Sequence, residues 1–120
     1  KKYTGNKIVC GSIYNELECG KFDLTFTSGV LIHVNPDFLD AVYKNLYDHS
    51  NRYVVVAEYY NPFPVAQTYR GHQDQIFKRD FAGDLIDKYD MKLINYGFTY
   101  RRDEWAKGSG HDTTWFLLEK

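Results

Sequence analysis

The stretch "EYYNPFPVAQTYRGHQDQIFKRDF", residues 58 to 81, joins a carboxylate, Glu58, to Tyr59, Tyr60 and Asn61 and then to Tyr69, Arg70, His72, Lys78 and Arg79. Arginine forks carboxylates and phosphates through paired hydrogen bonds, and tyrosine offers a flat apolar face with a polar tip, so the mixture suits an anionic, hydroxylated ligand. It would equally suit a nucleic-acid strand, or a solvated loop whose bases pair with Glu58, Asp74, Asp80 and Asp84. Glu58 follows the apolar run Tyr53 to Ala57 (YVVVA) directly. A carboxylate there is costly unless it is solvated, paired with a base such as Arg70, or in contact with a ligand. His33 lies just before a helix start, where an imidazole can act as general base near neutrality, bond a substrate hydroxyl, or simply bond loop backbone. Gly11-Ser12-Ile13 and Ser28-Gly29-Val30 each end a candidate strand. Glycine would let a flat ligand approach the backbone, although both segments also read as plain turns.

These residues need elements to hold them. Lys7 to Cys10 reads as a short strand, and Phe22, Leu24 and Phe26 alternate with polar residues as a second that ends at Ser28-Gly29. Asn35 caps a helix with Pro36 in its first position and Asp37 at its positive end. Leu39, Val42, Tyr43, Leu46 and Tyr47 give that helix one apolar face, with an end near Asp48 to Asn51. Tyr53 to Ala57 then reads as a central parallel strand covered on both faces, which makes a right-handed βαβ unit. Residues 61 to 77 read as a long polar loop of the functional kind. Asp80 caps a helix from about Phe81 to Tyr89, weakened by Gly83, and Leu93 to Tyr100 and Thr114 to Leu118 form an antiparallel pair at a sheet edge. In an open sheet of this kind ligands bind beyond the carboxyl ends of the strands, where those three turns converge.

Composition narrows the partners. The 120 residues suffice for one domain, and Lys+Arg 15 against Asp+Glu 16 leaves no overall field for a polyanion, so nucleic acid is not expected. No apolar run approaches the roughly 20 residues that span a bilayer, and the N-terminal residues lack a signal peptide's apolar stretch, so the chain reads as cytoplasmic with no membrane partner. Cys10 and Cys19 stand without a Cys/His cluster, and neither metal nor disulfide is expected. The dinucleotide, Walker, zinc-protease and serine-hydrolase motifs are absent, and Gly108-Ser109-Gly110 precedes a strand where a phosphate cradle would need a helix.

"FDLTFTSGVLIHVNP" resembles the fourth-strand signature of class I S-adenosylmethionine-dependent methyltransferases. "AEYYNPFPVAQTYRGH", "FKRDFAGDLID", "NYGFTYRRD" and "WFLLEK" are similar, more narrowly, to the pseudaminic acid biosynthesis-associated methylases, and the resemblance runs from about Asn6 to Lys120. It implies an α/β, partial Rossmann-like sheet of parallel strands plus a C-terminal antiparallel pair, with S-adenosylmethionine as cofactor and an acidic sugar as acceptor. It places Gly11, Ser12 and Ile13 along the adenine and Ser28, Gly29 and Val30 near the transferred methyl. Tyr59, Tyr60, Asn61, Tyr69, Arg70, Lys78 and Arg79 would hold the acceptor, with His33 or Glu58 as base. The glycine-rich first strand of the family and the acid ending its second strand have no counterpart here. The implied fourth strand then lacks a neighbour, an apolar edge prone to association. A fragment, a second copy covering the edge, or a missing half on a separate chain would each account for it. The competing reading is a non-catalytic half-Rossmann module that dimerises.

Overall fold

The structure, a computed structural model, describes residues 11–68, 75–106 and 111–120. The candidate strand Lys7 to Cys10 lies outside them. β1 (Phe22–Ser28) leads through a short 3-10 turn, Leu31–His33, to the capped start of the first helix. There the Asp37 amide donates to Asn35 Oδ1 at 2.9 Å, and Pro36–Phe38 makes a second 3-10 turn before α1 (Leu39–Asp48). β2 (Ser50–Glu58) follows, longer than its apolar run because Ser50 closes the turn by bonding Tyr53 O.

The stretch expected as an open loop is in part a hairpin. β3 (Val65–Thr68) pairs antiparallel with β4 (Gln75–Lys78) as a separate two-stranded sheet. It carries little pattern to read, because all four β3 residues are exposed, with the two apolar ones, Val65 and Ala66, adjacent in place of alternating, and only Ile76 of β4 is buried. α2 (Phe81–Tyr89) begins where expected, with the Gly83 amide donating to Asp80 Oδ1 at 2.9 Å. Gly83 serves this cap: a Cβ there would lie 2.2 Å from Asp80 Oδ2. β5 (Lys92–Thr99) and β6 (Thr113–Glu119) complete the main sheet.

The strand order is β1-β2-β6-β5, with β1 and β2 parallel and both pairs involving β6 antiparallel. Period two then sorts the residues between faces. Thr27, Val54, Val56, Glu58, Leu118 and Phe116 share one face through the registers Thr27↔Val56, Val56↔Phe116 and Val54↔Leu118. That face carries the core, where Val42, Tyr43 and Leu46 of α1 and Phe81 and Leu85 of α2 pack on Val54, Val56 and Leu118. Tyr47 of α1 stacks on Tyr89 of α2 at 4.2 Å.

The opposite face corrects the expectation for β2. Tyr53, Val55 and Ala57 are only half-buried, and their neighbours Leu24 and Phe26 are 42% and 66% exposed. Both helices lie on one side, so the unbroken apolar run is covered once among the described residues. β1 is also a sheet edge, paired there with β2 alone.

Candidate functional site

The carboxyl ends of β1 and β2 lie side by side, with Ser28 opposite Ala57 and the Gly29 amide donating to Ala57 O at 3.0 Å. Gly29 adopts a φ of 64°, which favours glycine, and space lies open where a Cβ would stand. The backbone at this tip is thus approachable by a flat or chain-like ligand.

Glu58 answers the question its position raised in a fourth way. It is 3% exposed. The Val30 amide donates to its Oε2 at 3.2 Å and the Ile32 amide to Oε1 at 3.3 Å. The carboxylate therefore caps the Leu31–His33 turn, filling the role that a side-chain cap on Val30 does not. Burial pushes its pKa up, while the Thr27 hydroxyl and the amides of Val30, Ile32 and Leu31 pull it back.

Beside this anchor lies a cavity of about 260 Å³ lined by Ser28, Gly29, His33, Glu58, Tyr59 and His111, with Ile76 of β4 closing one wall. A second, more apolar cleft of about 360 Å³ runs along β1, where Ile13 and Val30 meet Phe26. The expected segments divide between the two, with Ile13 and Val30 in the apolar cleft and Ser28, Gly29, His33, Glu58 and Tyr59 in the cavity. Gly11 and Ser12 line neither; Ser12 turns back to accept the Tyr14 amide.

No protein-family model matches the chain, and no curated protein does. Solved structures do. Over 93% of its length the chain matches 49% of the 1,6-didemethyltoxoflavin-N1-methyltransferase of Burkholderia thailandensis, crystallised with 1,6-didemethyltoxoflavin and S-adenosylhomocysteine, at a TM-score of 0.69 and 14% identity. Magnesium protoporphyrin IX methyltransferase from Synechocystis PCC 6803, with S-adenosylmethionine bound, matches at a TM-score of 0.62 and 12% identity over 92% of this chain and 43% of its own. An S-adenosylmethionine-dependent methyltransferase from Clostridium acetobutylicum matches at 0.60 and 11% over 92% and 63%.

The fold matches part of the α/β sheet of these methyltransferases. The chain spans 43 to 63% of the length of these neighbours.

Within this sheet, the residues expected to hold an acceptor separate. Tyr59 lines the cavity, and Lys78 Nζ stands 5.5 Å from its ring centroid. Tyr60 instead tilts against Phe116 at 5.9 Å, and the Asn61 side chain bonds Phe63 O. Arg79 is turned away from the cavity toward the helices. Its Nε lies 2.8 Å from Asp84 Oδ2, the atom to which Tyr43 Oη donates at 2.6 Å, so its charge ties the start of α2 to α1. Burial, followed by the Asp84 carboxylate, pushes the Tyr43 phenol well up. Tyr69, Arg70 and His72 lie outside the described residues.

One lining residue had no signal in the sequence. His111 sits in the segment read as an exposed, charged connection, yet its Nδ1 lies 2.5 Å from Tyr59 Oη. Only the antiparallel return of β6 beside β2, with Thr114 opposite Glu58, carries it there.

Proposed function

We propose that the chain forms the acceptor side of an S-adenosylmethionine-dependent methyltransferase whose acceptor is a hydroxyl or amine of an acidic sugar of the nonulosonate, pseudaminic acid type. The observation that carries this reading is the meeting of an open glycine turn, Ser28 to Val30, with His33, Tyr59 and His111 at the strand tips of a fold shared with structures that hold S-adenosylmethionine or S-adenosylhomocysteine. Gly29 and Val30 would hold the methyl-bearing end of the cofactor, and Ile13 with the apolar cleft along β1 its flat end. The cofactor supplies a methyl group on a sulfonium; the chain's own residues position the acceptor against it and remove its proton. Lys78 beside Tyr59, with two imidazoles in the cavity wall, favours an acceptor that carries negative charge.

Calorimetry of the natural protein with S-adenosylhomocysteine, followed by N-acetylneuraminic acid as a probe acidic sugar, tests the reading. Binding of the first at micromolar levels and of the second to the preformed complex is expected. Failure to bind S-adenosylhomocysteine defeats the enzyme reading.

The open apolar face favours a second reading, a non-catalytic module that buries Leu24 and Phe26 against another copy. It predicts a concentration-dependent dimer with no cofactor binding.

A further inference from the structure

We propose that Tyr59 and His111 form a proton relay that activates a hydroxyl of the acceptor, an inference that rests on the methyl-transfer reading of this site. Glu58, the carboxylate that lines the cavity, has each oxygen engaged by a backbone amide. Tyr59 Oη and His111 Nδ1 approach to 2.5 Å, and the rings meet edge to face with centroids 5.8 Å apart. Both line the cavity beside Gly29 and His33, and they come from separate elements, so the fold itself makes the pair. Lys78 Nζ stands 5.5 Å from the Tyr59 ring centroid, a cation–π contact that helps to hold the ring in place beside the imidazole.

As the acceptor oxygen bonds the methyl carbon, the carbon–sulfur bond breaks and leaves its electron pair on sulfur. The hydroxyl proton passes to Tyr59 Oη while Tyr59's own proton passes to His111 Nδ1. The phenol is regenerated and the imidazole becomes imidazolium. The positive charge lost from sulfur reappears on His111, which leaves the net charge of the cavity unchanged. Such a relay serves an acceptor atom that carries a proton, and therefore points to a hydroxyl in preference to a tertiary amine or thioether. Among the described residues, the titratable and charged groups around His111 include Tyr59, Glu58 and His33 in the cavity lining, Lys78 beyond the Tyr59 ring, and Asp112, which Arg101 pairs at 3.2 Å.

The test uses the natural protein with Tyr59→Phe and His111→Gln. Ring-nitrogen NMR is expected to show His111 Nδ1 unprotonated and accepting a hydrogen bond, a state that Tyr59→Phe alters. A proton on Nδ1 in the unsubstituted protein, or a spectrum indifferent to Tyr59→Phe, overturns the relay without any turnover assay. With N-acetylneuraminic acid as probe acceptor, each substitution is expected to lower kcat about 100-fold or more and to remove the acidic limb of the pH profile. Affinity for S-adenosylhomocysteine should stay unchanged, which checks the fold, and added imidazole should restore part of the rate to His111→Gly. Retention of rate and pH profile by both variants overturns the relay and leaves methyl transfer standing. Absence of cofactor binding by the unsubstituted protein defeats the functional reading instead, and the nitrogen spectrum still decides the relay.

Discussion

Glu58 Oε2 accepts the Val30 amide at 3.2 Å, joining the tip of β2 to the turn that follows β1. The parallel pairing of β1 with β2 sets their tips level, so a carboxylate one residue past Ala57 meets the amides of the Leu31–His33 turn. Glu58 is thereby a positioning residue for Gly29 and His33. Glu58→Gln replaces one oxygen with a donor that faces an amide donor, leaving a buried group unsatisfied. A loss of about 1–3 kcal/mol is expected in urea unfolding near neutral pH. Unchanged stability would mean that the turn holds itself.

The same carboxylate sets a pH dependence. Its folded pKa is raised, so the folded state binds its proton more tightly than the unfolded chain does. The contribution to stability is therefore fully present below the ordinary carboxylate range and declines as pH rises through the raised folded value. Urea midpoints measured from pH 4 upward should show this downward slope in the unsubstituted protein and a flatter profile in Glu58→Gln. Parallel profiles would assign the slope to another group.

Arg79 couples the helices through one carboxylate. Asp84 receives Tyr43 Oη at 2.6 Å and faces Arg79 Nε at 2.8 Å, and both members of the ion pair are mostly buried. Arg79→Ala leaves the partly buried Asp84 carboxylate with the Tyr43 hydroxyl but without the arginine, and Tyr43→Phe does the reverse. Tyr43→Phe and Arg79→Ala are each expected to cost about 1–3 kcal/mol, with a double mutant costing less than their sum. Cofactor affinity should not move. A drop in acceptor binding with unaltered stability would return Arg79 to the acceptor site.

The difference between Arg79 and Tyr59 marks what sequence could and could not convey. Caps and periodicity at Asn35, Asp80 and Leu39 to Tyr47 are local, and they placed both helices to within a few residues. β1, β2, β5 and β6 followed from apolar runs and alternation, and the antiparallel pair from the charged connection between its members. What escaped was long-range. That Arg79 turns to Asp84, that Glu58 meets backbone amides, and that His111 returns to Tyr59 all depend on which chain segments the sheet order brings together. The hairpin of β3 and β4 escaped for a different reason: apart from Ile76 it buries little, so it carries no hydrophobic pattern to read.

Gly97 faces Trp115 across the β5–β6 pair, on the side of the sheet away from the helices. A Cβ at Gly97 would lie 2.6 Å from Trp115 Cζ2, so the indole lies flat over the strand only because nothing projects there. Gly97→Ala must displace a bulky ring or bend the strand, at an expected cost of about 1–3 kcal/mol. Tryptophan fluorescence is the companion measurement, since displacement of Trp115 shifts its emission; an unaltered spectrum with full stability would show that the ring swings aside freely.

Beyond Gly97 and Trp115, that same face continues to β1, where apolar side chains coincide with a strand edge that no described residue pairs. Leu24 and Phe26 project from β1 beside the half-buried Tyr53 and Val55, and β1 has β2 as its one partner among the described residues. Edge amides and carbonyls can extend a sheet, and an apolar strip beside them adds the burial that holds such a contact. This chain alone should therefore self-associate as concentration rises, in a manner seen by sedimentation. Phe26→Lys places a charge in the middle of the strip, at the position most open to solvent, and should shift the chain toward monomer while leaving its circular dichroism unchanged. Sedimentation as a monomer at all concentrations, or association unaffected by Phe26→Lys, would show that this face and edge are not where copies meet.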